Sequence, residues 1–274
     1  MRASLLSILG FAVLAASNSL AQMQDNREKQ LSCSDSADRY RDQKSRKCEV
    51  REETITSVRQ LTIEPGRNGA VSVKGWTQGQ VLVRAKLEAS GSSDSEASLL
   101  FSQIHADASP GRIAASGPDT PGNSSWSVSY EIFVPQSSDL KIATFNGPVS
   151  VRDIAGRLEL TAHNGPLEMR RVVGDIIAKT TNGPIQFEPF SDGWRGQQLE
   201  LETTNGPVNI KVPNAFQAHV QAQTANGPIQ SELGGSVSKD NRDRRSNALD
   251  LNLGAGATSL KITTQNGPIH LART

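Results

Sequence analysis

Residues 140–169, LKIATFNGPVSVRDIAGRLELTAHNGPLEM, contain the tripeptide Asn-Gly-Pro twice, and four further copies follow towards the C-terminus. The first two intervals between copies are 18 residues each, and the later intervals are 23, 21 and 40 residues. Self-similarity at a nearly fixed period is typical of repeat architectures, in which each repeat is one supersecondary unit stacked on the next. The copies are Asn146, Gly147, Pro148, Asn164, Gly165, Pro166, Asn182, Gly183, Pro184, Asn205, Gly206, Pro207, Asn226, Gly227, Pro228, Asn266, Gly267 and Pro268.

Apolar residues recur at matched positions on both sides of each tripeptide. With the Asn as position zero, positions −6, −4, −2, +3 and +5 are apolar or Thr in nearly every copy, and the positions between them are mostly polar. Alternation with a period of two predicts strands with one buried face, so each repeat is expected to be two short strands joined at the Asn-Gly-Pro corner. Position −6 holds Leu140, Leu158, Ile176, Leu199, Val220 and Leu260, and position +3 holds Val149, Leu167, Ile185, Val208, Ile229 and Ile269.

Two architectures could use such a unit. Asn-Gly is the strongest short signal for a β-hairpin, but the following Pro disfavours the helical backbone that a type I′ turn requires of the Gly, and it lacks a strand N–H. In a solenoid each repeat is one coil, equivalent residues lie about 4.8 Å apart in neighbouring coils, and stacked Asn side chains can hydrogen-bond along the corner. The sequence favours the second alternative. We therefore predict an all-β fold whose main part is a parallel β-solenoid (β-helix) of repeats about 18–23 residues long.

The N-terminus predicts export. Residues 1–21 are expected to be a signal peptide, because Arg2 precedes a short apolar stretch and Ala21 closes a small-residue cleavage site. Residues 22–48 form a polar segment that holds the two cysteines of the chain, Cys33 and Cys48. In an oxidising compartment such a pair is expected to form a disulfide, worth about 3 kcal/mol by loop-closure entropy.

Two further regions complete the predicted domain organisation. Residues 49–135 are expected to be a β-rich region, with alternation typical of a small antiparallel sheet and one helix at about residues 93–104. Residues 136–274 are expected to be the repeat domain. Within its 40-residue interval, residues 249–253 are expected to be one degenerate coil.

Composition excludes several classes of partner. The chain has 29 basic and 28 acidic side chains, so nothing in its charge suggests nucleic acid. The apolar stretch near the N-terminus is about 12 residues long, whereas a membrane-spanning helix needs roughly 20. After signal cleavage the protein is therefore expected to have no transmembrane anchor.

Motifs for catalysis, cofactors or metals are not found in the sequence. It contains no G-x-S-x-G, no H-E-x-x-H and no EF-hand loop. Three outward carboxylates, Glu159, Glu168 and Glu200, are the candidate acids for glycan cleavage, which would need two of them roughly 5–9 Å apart. A solvated face explains these residues equally well, so we predict no catalytic, cofactor-binding or metal-binding residues. The histidines, expected to be surface residues, are His105, His163, His219 and His270.

Three sequence runs resemble a known family. These are LELETTNGPVNI at residues 199–210, Trp194-Arg-Gly before it, and CEVRE at residues 48–52. They are similar to the bacterial exported "putative adhesin" proteins, domain of unknown function 4097, over residues 48–274. The resemblance implies a β-strand-repeat domain, export and an adhesin-type role, and it supplies no catalytic residues. Many members have Asn-Gly-Gly at the corner, and the Pro found here would stiffen it.

The expected function is that of an exported, non-catalytic, adhesin-like module located in the periplasm, on the outer surface or outside the cell. Its partner would be a protein or glycan of the cell envelope or surface. Two alternatives are an accessory envelope protein in stress signalling and a carbohydrate-active β-helix enzyme. The corners are expected to be structural, so that any binding site would lie on the outward side chains or the inserted loops.

Overall fold

The computed structural model describes residues 31–33, 44–120, 122–191, 194–239, 246–256 and 258–274. In these ranges the protein is all-β with one helix, α1, at Asp94–Ser102. The signal peptide predicted for residues 1–21 lies outside the described residues. The strands are β1 Ser45–Thr56, β2 Gln60–Glu64, β3 Val71–Trp76, β4 Gln80–Gly91, β5 His105–Ser109, β6 Arg112–Ser116, β7 Ser125–Pro135, β8 Asp139–Asn146, β9 Val149–Ala155, β10 Leu158–Asn164, β11 Leu167–Val173, β12 Ile176–Asn182, β13 Ile185–Pro189, β14 Gln198–Asn205, β15 Val208–Val212, β16 Ala218–Asn226, β17 Ile229–Ser231, β18 Ser238–Lys239, β19 Asn247–Leu253, β20 Thr258–Asn266 and β21 Ile269–Arg273.

The strands form two large sheets. The first sheet has the order β1-β4-β7-β3-β9-β11-β13-β15-β21-β17, and the second has the order β18-β19-β16-β20-β14-β12-β10-β8-β2-β6-β5. In every Asn-Gly-Pro repeat, the strand before the corner belongs to the second sheet and the strand after it belongs to the first. Each corner therefore carries the chain from one sheet to the other.

Equivalent strands of neighbouring repeats pair in parallel and in matched register. β10 pairs with β8 and β12, and β11 pairs with β9 and β13, all in parallel. Asn164 lies beside Asn146 on one side and beside Asn182 on the other. The two strands that flank an Asn-Gly-Pro corner do not pair with each other, so the hairpin alternative is wrong.

The core lies between the two sheets and is built from the matched positions of the repeats. Every residue at positions −6 and +3 is buried, as are the Leu, Ile and Ala side chains at position −4. Position −2 contributes buried threonines, of which Thr224 is fully buried. The alternation of the sequence thus predicts which side chains face inward.

The region before residue 136 joins the same two sheets. Its predicted antiparallel pairing is found for β1, β4 and β7. However, β2 pairs in parallel with β6 and β8, and β3 pairs in parallel with β7 and β9. The prediction of a separate antiparallel sheet was wrong for these two strands, because their alternating apolar residues complete the face that β8 and β9 leave open.

An additional corner at Asn68-Gly69 connects β2 to β3. Asn68 forms a parallel bridge with Asn146, and Val71 lies beside Val149. The sequence interpretation missed this corner because Ala70 replaces the Pro. In addition, the strand before this corner is offset by one residue. Ile63, which lies five residues before Asn68, pairs with Ile142 of β8, which lies four residues before Asn146.

The last repeat is stacked out of sequence order. β20 lies between β14 and β16, and β21 lies between β15 and β17. The repeat of Asn266 therefore separates the repeats of Asn205 and Asn226. The prediction of a degenerate coil at residues 249–253 was wrong, because β19 pairs antiparallel with β16 and β18.

The helix and the disulfide are found where the sequence predicted them. Ser93 is the N-cap of α1, and its side chain accepts a hydrogen bond from the Glu96 backbone N–H. Hydrogen bonds donated by Ser124 and Ser92 lower the pKa of the Glu96 carboxyl to about 2. Cys33 and Cys48 form a disulfide with their Cα atoms 5.8 Å apart. In the described part of the chain, no helix is long and apolar enough to cross a membrane.

Candidate interaction surfaces

The asparagines of the corners form one continuous side-chain ladder. Each Nδ2 donates to the Oδ1 of the Asn in the neighbouring repeat at 2.7–3.0 Å, from Asn226 through Asn266 and onward to Asn68. Asn68 in turn donates to the Trp126 carbonyl at 3.3 Å. Primary amides joined in this way have few groups left for a ligand, which favours a structural role for the corner.

The corner glycines are required by close backbone stacking. A Cβ on Gly165 would lie 2.1 Å from the Gly147 carbonyl oxygen, and a Cβ on Gly183 would lie 2.2 Å from that of Gly165. Such contacts are far below any tolerable distance, so any side chain at this position would force the repeats apart. The need for Gly arises from the stacking of neighbouring repeats.

Proline fits the same corner because its missing N–H is not used. The Gly147 N–H donates to the Asn164 carbonyl, and the Val149 N–H donates to the Pro166 carbonyl, both at 2.9 Å. The N–H groups on either side of the Pro therefore carry the ladder. Because the position between them donates to no neighbour, Pro stiffens the corner without removing a hydrogen bond.

Buried threonines connect the core to the corner. The Thr203 hydroxyl donates to the Gly183 carbonyl at 3.0 Å, and Thr224 donates to the Gly267 carbonyl at 2.9 Å. These threonines bond to a row of corner Gly carbonyls. At the end of the row, the Asn247 side chain donates to the Gly227 carbonyl at 2.6 Å. In contrast, the Thr144 hydroxyl is buried without a hydrogen-bond partner.

The outward face of the second sheet is cross-linked by ion pairs. Glu159 lies 2.8 Å from Arg157, and Lys179 lies 3.0 Å from Glu200 and 2.9 Å from Glu202. Hydrogen bonds to Glu202 and then Glu200 raise the pKa of Lys179. The charged side chains of this face therefore satisfy one another.

The three candidate acids do not form a catalytic pair. Glu168 lies on the first sheet, 2.5 Å from Arg170, whereas Glu159 and Glu200 lie on the second. Glu159 and Glu200 are two strands apart with Ile177 between them, a separation of roughly 9.6 Å at the usual strand spacing. Each carboxylate is held by a basic neighbour, which suits a structural role better than acid catalysis.

The outward face of the first sheet carries a shallow groove of about 80 Å³. It crosses β11, β13 and β15 at the point where Gln186 lies beside Asn209. Position +4 of each repeat points outward, and these positions form one column of Ser150, Glu168, Gln186, Asn209, His270 and Gln230. The groove is lined by Met169, Arg170, Gln186, Phe187, Glu188, Asn209 and Lys211.

A second exposed feature lies beside the Asn ladder. The Phe145 ring is 45% exposed, stacks on His163 with centroids 4.7 Å apart, and has the Arg67 guanidinium 5.8 Å from its centroid. These three side chains therefore form a stack that spans neighbouring strands beside the corner.

The two tryptophans of the N-terminal region are used within the fold. The Trp126 indole N–H donates to the Pro118 carbonyl at 2.8 Å, and the Trp76 indole N–H donates to the Gln80 carbonyl at 2.9 Å. Trp126 is buried, and Trp76 packs on Phe133 with centroids 5.6 Å apart. Neither indole offers a free hydrogen-bond donor to a partner.

The histidines occupy separate places, as the sequence predicts. His105 lies on β5, His163 stacks on Phe145, His219 lies 2.8 Å from Asp250, and His270 lies on β21. Among the described residues, no group of three His, Cys, Asp or Glu side chains could hold a metal ion.

The chain is similar to a family of known proteins and to solved structures. The model of the Toastrack DUF4097 family matches residues 52–272. A putative cell adhesion protein from Clostridium sporogenes is similar in structure, with a TM-score of 0.42 and 12% identity over 83% of this chain and 100% of that one. A putative adhesin from Bacteroides fragilis has a TM-score of 0.40 and 8% identity over 83% of this chain and 97% of that one. No curated protein matches the chain.

Proposed function

The chain belongs to the Toastrack DUF4097 family, and from this premise we propose that it is an exported, non-catalytic, adhesin-like protein that binds a cell-surface partner. Export is supported by the signal-peptide pattern of residues 1–21, which predicts a mature chain of residues 22–274. The Cys33–Cys48 disulfide supports an oxidising compartment such as the periplasm or the cell exterior.

In this proposal residues 136–274 form a β-solenoid, and each Asn-Gly-Pro repeat is one coil. The matched parallel register and the continuous Asn ladder support the assignment. Residues 49–135, with α1, would then close one end of the solenoid, because β2 and β3 continue both of its sheets. The disulfide would attach the polar segment 22–48 to the edge strand β1.

The observation that carries the proposal is the alignment of outward side chains in straight columns. Parallel register places Glu168, Gln186 and Asn209 in neighbouring positions of one sheet face, at a spacing of about 4.8 Å. A rigid surface with repeated side chains is the feature that repeat proteins use for extended partners. Such a surface needs no deep pocket, in agreement with the shallow groove.

A non-catalytic role is supported by the placement of the carboxylates. The candidate acids are divided between two sheets, and each has a basic partner at 2.5–3.0 Å. Glycoside hydrolysis requires two carboxyl groups that face one scissile bond. Glu168 faces away from the other sheet, and Glu159 and Glu200, which share a face, are separated by the strand of Ile177.

The test uses the mature protein, residues 22–274, with its disulfide intact. The protein would be applied to whole cells, extracellular matrix and a glycan array. We expect it to be retained on at least one of these surfaces without release of soluble sugars. Absence of retention on all of them, with one envelope protein co-purifying, would instead favour the accessory role in stress signalling. Release of sugars from a bound glycan would contradict the non-catalytic assignment.

A further inference from the structure

Several polar side chains of the groove on the first sheet are unused. Among the described residues, Gln186, Glu188, Asn209 and Lys211 form no hydrogen bond or ion pair through their side chains. The second sheet, by comparison, has its Lys179, Glu200 and Glu202 side chains tied together. Four unused polar side chains therefore meet at the concave part of this surface.

The amides of the groove are free although the spacing would allow them to pair. Gln186 and Asn209 are direct neighbours on parallel strands, as are the corner asparagines Asn182 and Asn205. The corner amides are bonded at 2.8 Å, whereas those of the groove are not bonded to each other. A primary amide supplies two donor hydrogens and an acceptor oxygen. The groove therefore presents both kinds of group to a ligand.

Charge and shape narrow the class of ligand. Glu188 and Lys211 lie in the same groove with opposite charges, and the charge of Arg170 is paired with Glu168 at 2.5 Å. The site therefore favours a ligand without large net charge. Pockets for small molecules are usually about 300–1,000 Å³, whereas this groove has about 80 Å³. A ligand that lies across the strands and makes shallow contacts fits better than an enclosed molecule.

We propose that the groove formed by Gln186, Asn209, Glu188 and Lys211 binds a neutral, linear glycan lying across β11, β13 and β15. Each sugar hydroxyl is both a donor and an acceptor, which matches side chains that can only accept, only donate or do both. The column of position +4 extends the surface beyond the groove through His270. This inference rests on the proposed function and adds the site and the class of ligand.

The experiment compares three forms of the mature chain on an array of neutral and acidic linear oligosaccharides. The test variant is Gln186→Ala combined with Asn209→Ala. The matched control is Gln230→Ala, which removes an exposed amide from the same column outside the groove. All three should have the same thermal unfolding midpoint, because none of these side chains has a partner in the described protein.

We expect the unmodified chain and the control to bind neutral oligosaccharides, and the double variant to bind at least tenfold more weakly. Equal binding of all three forms would overturn the groove assignment while leaving the adhesin-like function in place. Binding restricted to acidic oligosaccharides would overturn the ligand class. If the unmodified chain binds neither the array, nor cells, nor matrix, the proposed function itself fails.

Discussion

The first four Asn-Gly-Pro repeats and the last two share the same corner, but they are assembled differently. From β8 to β15 the order of stacking follows the order of the sequence. In the C-terminal part, the repeat of Asn266 enters between the repeats of Asn205 and Asn226. The corner geometry is thus set by local sequence, whereas the choice of neighbour is set by the path of the connecting chain.

The connection after β17 explains the difference. β19 pairs antiparallel with the outer edge of β16, so that edge is no longer open to another parallel strand. β20, which follows β19 in the chain, pairs in parallel with the other edge of β16 and with the free edge of β14. The fifth repeat therefore depends on the sixth, and the fourth lies between the third and the sixth, while the first three follow one another in sequence order.

The strongest test of this comparison is removal of the last repeat. Deletion of residues 257–274 removes the buried side chains of Leu260, Ile262, Ile269 and Leu271. At about 1.5–3 kcal/mol each, their loss rivals a typical net stability of about 5–15 kcal/mol. We expect no cooperative thermal transition by circular dichroism. Removal of residues 1–21 is the control, and a truncated chain that still unfolds cooperatively would show that the fifth repeat does not need the sixth.

Corner glycines should be equally necessary in both parts. Gly183→Ala and Gly267→Ala place a Cβ 2.2 Å and 2.1 Å from the carbonyl oxygen of the neighbouring Gly. We expect each to lower the free energy of unfolding by about 3 kcal/mol or more. Gly79→Ala is the control, since a Cβ there meets nothing within 4 Å. A much milder effect at Gly267 than at Gly183 would mean that the two parts do not share one corner geometry.

The Asn ladder should distinguish an interior position from an end. Asn182 donates to Asn164 and accepts from Asn205, whereas Asn226 donates to Asn266 at the end of the ladder. At about 1 kcal/mol for each hydrogen bond, Asn182→Ala should cost about 2 kcal/mol and Asn226→Ala about 1 kcal/mol. Chemical denaturation of both variants measures the difference. Equal costs would imply that the ladder does not act through its individual bonds.

Buried hydroxyls offer a smaller comparison between the two parts. Thr203→Val and Thr224→Val remove hydrogen bonds of 3.0 Å and 2.9 Å, one in each part, and should each cost about 1 kcal/mol. Thr144→Val is the control, because its hydroxyl is buried without a partner and its removal should be neutral or stabilising. Urea denaturation of the three variants measures their free energies of unfolding. A loss of stability in Thr144→Val would mean that the buried hydroxyls do not act through these hydrogen bonds.

The smallest expected effect is a change of stability with pH, caused by one carboxylate in the antiparallel pair β16–β19. A hydrogen bond from His219, and a second from Gln221, lower the pKa of Asp250 from its usual 3.8. A lowered pKa means that the carboxylate stabilises the fold above pH 3.8, and that this contribution disappears as the pH falls through the lowered value. The difference in melting temperature between the protein and Asp250→Asn should therefore shrink on acidification. A difference that is constant with pH would exclude this role of the pair.

Sequence alternation was enough to predict the inward residues and the parallel corners. Leu158 and Leu167 were assigned to one buried face on either side of Asn164, and both are fully buried. The prediction succeeded because each repeat imposes its register on the next. The pairing of Cys33 with Cys48 was likewise predicted correctly, since a chain with two cysteines offers one combination.

Long-range choices could not be predicted from single repeats. The apolar alternation of β20 is the same as that of β14 and β16, so it does not specify that β20 lies between them. β19 has the same apolar alternation as a parallel coil, and alternation does not reveal that it pairs antiparallel with β16 and β18. The groove depends on which outward side chains fail to find partners across strands, and alternation alone carries no information about that.

The hydrogen bond from the Asn247 side chain to the Gly227 carbonyl affects how many repeats can stack. A parallel stack could in principle grow without end, because each repeat offers the next a row of backbone acceptors, as in amyloid. Here Asn247 occupies the acceptor that the threonine of a further repeat would use, and β19 covers the adjacent strand edge. One amide side chain and one antiparallel strand thus end the row of parallel strands in the second sheet.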